Sequence, residues 1–186
     1  MRTFLVMAAL AAALAAGLAV GAPAWGQQSA CSARAIGAWR PAASAPLRVE
    51  AYAEGPNCTQ AVATLVVRDA TGGILWADAF AAARVMSLAD ARDALAMRAA
   101  LARWIDPAAT RLARASDLPP WPANAEYPAS GEFPFYPESW LDRASYEALR
   151  ARGDPIFCYV QGMESIACLA LSGGQLSKVG VQTFPG

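Results

Sequence analysis

The stretch Phe157–Leu171, FCYVQGMESIACLAL, sets Cys158 and Cys168 on either side of a short turn. Read as a hairpin, it has one register in which like meets like on both faces. Cys158 then opposes Cys168 and Val160 opposes Ile166. On the other face Phe157 meets Leu169, Tyr159 meets Ala167, and Gln161 meets Ser165. A slip of one residue would set Val160 against Ser165, and register is fixed where a face is buried. The register therefore predicts a cross-strand disulfide, Cys158–Cys168. Cys31 and Cys58 are the remaining pair. The tip, Gly162-Met163-Glu164, is unusual, because three-residue hairpin loops favour glycine in the last position.

The N-terminus gives the same cysteines a compartment. Arg2 precedes Phe4–Val20, an uncharged run rich in Ala, Leu and Val, and Ala24-Trp25-Gly26 supplies small residues in an A-x-G arrangement. This is the pattern of a secretory signal peptide over 1–26, leaving 27–186 as one domain. The run is at the short limit for a membrane span, so no stable span is expected after its removal. An exported chain with an even number of cysteines is expected to form disulfides. Lipidation at Cys31 is the competing fate: Ser29 and Ala30 suit a lipobox and Gln28 does not.

The chain has no histidine. That removes the Ser-His and Cys-His nucleophile systems and nearly all catalytic zinc sites. The cysteine spacing fits neither a C-x2-C zinc site nor a C-x-x-C redox pair, so neither metal nor cofactor is expected. Charge is balanced, with 15 basic and 15 acidic residues, which argues against nucleic acid as a partner.

Residues 27–46 read as an irregular arm anchored at Cys31. Leu47–Ala53 alternates apolar and polar, Ala61–Asp69 is apolar nearly throughout, and Ile74–Phe80 returns after a Gly-containing turn. Together they read as a three-stranded antiparallel meander. Ser87 and Asp90 form a capping-box pattern, predicting a long helix over Leu88–Ile105. Asp106-Pro107 is suited to open a short second helix running to about Ala115. Another helix is expected over Trp140–Arg152, capped by Ser139 or Asp142 and stopped by Gly153. The clamped hairpin follows, and then a last strand through QLSKVGVQTF. The expected fold is a single α+β domain in the order βββ-α-loop-α-βββ, its antiparallel meanders packed on one long helix.

Two features invite a functional reading. Residues 116–139 are dense in proline and aromatic residues, and a long irregular segment of that kind is either functional or packed along a surface. In it and just beyond, Glu126, Glu132 and Glu138 interleave with Trp121, Tyr127, Phe133, Phe135, Tyr136 and Trp140. Aromatic faces beside carboxylates suit sugar or partner recognition, or glycoside hydrolysis if two carboxylates stand at a defined separation. The same residues equally suit a cover over a sheet face. The second feature is Arg98, which falls near the middle of the apolar arc drawn from Leu88 to Ile105. It reads either as a snorkelling side chain or as a partly buried anion ligand. Asn57-Cys58-Thr59 matches a glycosylation sequon and is read as coincidence. The expectation is a non-catalytic periplasmic or secreted protein that binds an envelope protein or glycan, with Trp121, Tyr127, Glu132, Phe135, Tyr136 and Arg98 as candidate contacts. A carboxylate-dependent glycan-active enzyme and a structural component of an envelope complex are the alternatives.

Overall fold

The computed structural model describes residues 30–42, 44–128 and 132–184. The leader assigned to 1–26 lies outside these residues. The fold is α+β, with two four-stranded antiparallel sheets and two helices.

The first sheet is a meander of β1 (Cys31–Trp39), β2 (Leu47–Gly55), β3 (Val62–Arg68) and β4 (Ile74–Ala81), adjacent in that order. Three of these strands were expected. The first was not: residues 31–39 form a strand rather than an irregular arm. Its inward positions, Cys31, Ala33, Ala35 and Trp39, are buried and alternate with exposed Ser32, Arg34 and Ala38. Alanine and glycine carry little β propensity, so this strand is held by pairing with β2 along its whole length, Cys31 to Gly55 through Trp39 to Leu47. The disulfide Cys31–Cys58 ties its start to a 3-10 turn, Cys58–Gln60. With its sulfur in that bond and 1% of the residue exposed, Cys31 has no thiol to receive a lipid. Asn57 caps the same turn, accepting from Gln60 N–H, which gives the sequon a local structural role.

The first helix is shorter than expected. α1 spans Ala94–Trp104 and is capped by Asp93, whose side chain accepts from Ala96 N–H at 2.8 Å. Ser87 is not its cap. Residues 85–91 form turns instead, burying Val85, Leu88 and Ala91 in the first core, and Met86 N–H donates to Gly162 O at the hairpin tip. α1 lays Met97, Ala100, Leu101 and Trp104 against β1 and β2. The second expected helix is a single 3-10 turn, Pro107–Ala109, with Asp106 as the predicted cap.

The second sheet runs β5 (Phe135–Pro137), β8 (Gln175–Thr183), β7 (Ser165–Ser172), β6 (Ile156–Val160). β6 and β7 pair in the expected register, and Cys158–Cys168 is a disulfide across it. β5 lies within the segment expected to be irregular. It pairs with β8 because residue 180 is glycine: a Cβ there would meet Phe135 Cε1 and Tyr136 O at 2.5 Å. α2 (Arg143–Arg152) starts later than predicted, at Asp142, which accepts from Ser145 N–H. It ends as predicted at Gly153, in the left-handed conformation.

The two faces of the second sheet supply two cores. Phe157, Tyr159, Leu169 and Leu171 join the first sheet and α1, while Cys158, Ile166, Cys168 and Val179 pack with α2 residues Tyr146 and Leu149. Trp39, Phe80, Trp104, Phe157 and Tyr159 form one aromatic chain through the first core, with centroids 5.5–6.2 Å apart. Within it Tyr159 OH accepts from Trp76 Nε1 and donates to Asp78 Oδ2, so the buried hydroxyl is satisfied by both strand neighbours. Burial pushes this phenol well above the usual tyrosine range.

Candidate functional site

Where β6 and β7 meet the connection after α1, the two cores do not close. A cavity of about 880 Å3 remains among the described residues, within the size range of small-molecule sites. Its inner wall is Trp104, Tyr159, Val160 and Ile166; Leu112 and Pro119 flank it. Trp104 is fixed there by its Nε1–H, which donates to Val160 O at 2.7 Å. Met86 and Phe133, each 45% exposed, stand at the rim. Phe133 O accepts from Gln182 Nε2 on β8, which holds the rim to the sheet.

The polar groups around this cavity are few. Arg103, at the end of α1, and Arg111 line it and are exposed. Asp117 also lines it, but its Oδ2 accepts from Ala113 and Arg114 N–H and so holds the backbone turn. Ser87 Oγ and Thr110 Oγ1, both on lining residues, are buried without a hydrogen-bond partner among the described residues. A buried unpaired hydroxyl costs about 1–3 kcal/mol, and both oxygens are closed off from the cavity's open space.

The sequence-nominated residues divide. Trp121, Glu126, Tyr127, Tyr136 and Glu138 do converge, lining a shallower groove of about 340 Å3. The Tyr127 and Tyr136 ring centroids lie 4.9 Å apart, and the Tyr127 phenol is pushed up, first by Tyr136. Trp121 faces the groove from a structural position. It packs edge-on to Tyr146, donates Nε1–H to Ala125 O, and its backbone bonds Glu147 and Arg143. Two of the three groove acids are occupied, and Glu126 has no ion-pair partner among the described residues. Glu138 pairs with Lys178 at 3.1 Å, and Asp142 is the α2 cap, held below the usual range by the Ser145 N–H. Phe135 is fully buried in the second core. Glu132 is exposed and lines neither the groove nor the cavity.

Arg98 is exposed on α1 and lies outside both sites. The arc that centred it counted Leu95, which is 77% exposed, and Ala94 and Ala102, which are also exposed. The buried stripe is Met97, Ala100, Leu101 and Trp104, and Arg98 stands about 100° round from Met97.

A polar knot covers the outer face of the first sheet. Glu50 is 2% exposed although it points away from the core. Tyr52 OH donates to it at 2.5 Å, Arg48 approaches at 2.8 Å and Arg68 at 3.3 Å, while Arg34 lies over the Tyr52 ring. The Tyr52 hydrogen bond, then Arg68 and Arg48, hold its carboxyl below the usual range against the opposing effect of burial.

Fold and site together describe an α+β protein clamped by two disulfides, with an apolar cavity between its cores. No family model matches the chain, and no curated protein or solved structure matches it. The two disulfides fit an oxidising compartment. No helix among the described residues is long and apolar enough to cross a membrane.

Proposed function

We propose that this is a non-catalytic binding protein of the periplasm or the extracellular space, and that the cavity against β6 and β7 is its ligand site. The observation that carries the reading is the cavity's make-up: apolar walls that include Trp104, Val160 and Ile166, with few polar groups, Arg103 and Arg111 among them. Apolar pockets with sparse polar groups are the usual form of a small-molecule site. The secretory pattern at the N-terminus and the two disulfides support the compartment.

The test is titration of the folded protein with the neutral apolar dye N-phenyl-1-naphthylamine. Saturable binding of one dye per chain, weakened at least tenfold by Thr110→Phe, supports the reading. A folded protein that takes up no dye, or a Thr110→Phe variant that keeps its near-UV spectrum and binds as well, refutes it.

A second reading rests on the exposed Tyr127–Tyr136 pair beside Glu126, a surface suited to an envelope partner or glycan. Capture of peptidoglycan fragments that is lost in Tyr136→Ala, in a protein that binds no dye, would favour it.

A further inference from the structure

The charge at the cavity mouth bears on what the cavity holds. Arg103 and Arg111 both line it and are exposed, and neither forms an ion pair among the described residues. The one acid there, Asp117, has its Oδ2 committed to two backbone N–H groups. The mouth thus carries two guanidinium groups against one engaged carboxylate, leaving an excess positive charge. Behind it the wall is apolar, and the rim, Met86 and Phe133, is apolar as well. Each guanidinium offers forked donors that match a carboxylate, and the mainly apolar wall suits hydrocarbon.

We propose that the ligand is a free single-chain acidic amphiphile, with its hydrocarbon chain against Trp104, Val160 and Ile166 and its carboxylate at Arg103 and Arg111. This rests on the reading of the cavity as the ligand site. The length of the cavity contributes through the chain and the arginines through the head group, so the two halves separate experimentally. Each methylene added to the chain strengthens binding about fourfold while the cavity has room. The arginines stand in solvent, so their joint contribution is modest, about fivefold, and it falls as salt rises.

The experiment compares octanoate, decanoate, decanol and decylammonium by displacement of N-phenyl-1-naphthylamine from the full-length secreted protein. The expected order is decanoate, then decanol, then decylammonium, with octanoate about fifteenfold weaker than decanoate. The double variant Arg103→Gln/Arg111→Gln should weaken decanoate about fivefold and leave decanol within twofold. Because both side chains are exposed and unpaired, that variant is expected to fold, and unchanged decanol binding reports that it has. Decanol and decylammonium binding as tightly as decanoate would overturn the acidic head group and leave the cavity reading standing. If dye binds and none of the four displaces it, the acidic amphiphile is overturned and the cavity reading stands; if no dye binds, the cavity reading falls as well. Sedimentation with phosphatidylglycerol vesicles without decanoate binding would also overturn the proposal, because it would mark the arginines as a membrane contact.

Discussion

Glu50 shows how a charged residue comes to be buried on the open side of a sheet. Its carboxylate is covered by the side chains that satisfy it, Tyr52, Arg48 and Arg68. Its folded pKa is depressed, so its contribution is present above the unfolded carboxylate value and is lost as pH falls through the folded one. Wild-type stability is therefore expected to drop from about pH 4 downward. Glu50→Gln should cost about 2 kcal/mol at pH 7, less than for a fully buried pair because Arg34 and Arg48 are half exposed. The difference between the two proteins should shrink toward pH 3. Urea denaturation at several pH values measures this, and a difference that stays constant with pH would mean that the carboxylate is not ionised in its knot. In the sequence, Arg48, Glu50 and Tyr52 were legible as the outward side of a strand. That they meet Arg34 and Arg68 was not, because those residues are brought in by β1 and β3.

At the scale of elements, the position of α1 decides the role of Ser87. The capping rule found a correct kind of start in the wrong place: Asp93, not Ser87, accepts the first free N–H. Asp93→Ala should cost about 1 kcal/mol. Ser87→Ala removes a buried hydroxyl without a partner, and it should be neutral or stabilise by up to about 1 kcal/mol. A loss of stability in Ser87→Ala would restore the longer helix. The aromatic segment gives a second contrast. Trp121 is pinned by Tyr146, Ala125 and Glu147, so Trp121→Ala should cost about 2 kcal/mol. Tyr136 is 42% exposed, and Tyr136→Ala should cost under about 1 kcal/mol. Thermal melts of the two variants decide between them. Clear amphipathic alternation made β2 legible, and the clamped hairpin was legible from cross-strand likeness. β1 was not, since its Ala- and Gly-rich alternation is visible only once β2 pairs with it. β5 was hidden by its prolines and depends on Gly180.

For the whole molecule, the two disulfides hold different parts: Cys31–Cys58 fixes the first strand to the turn before β3, and Cys158–Cys168 lies in the second core. Each is expected to contribute about 3 kcal/mol. Cys31→Ala/Cys58→Ala should lower the denaturation midpoint in keeping with that, and native alkylation should label no cysteine. The α+β class and the pairing of the cysteines could be read from residue pattern. The cavity could not, because its lining comes from separate stretches, among them the turn at Met86, the end of α1, Leu112, β6, β7 and Gln182. Periodicity sees one element at a time. The aromatic groove was partly legible because its residues are close in sequence. The cavity is also where the central claim is tested most directly, by following methyl and aromatic NMR signals during titration with decanoate. The account predicts saturable shifts at Ile166, Val160 and Leu112 with little change at Tyr127 and Tyr136. Shifts confined to the two tyrosines, or no saturable shift at the cavity methyls, would contradict it.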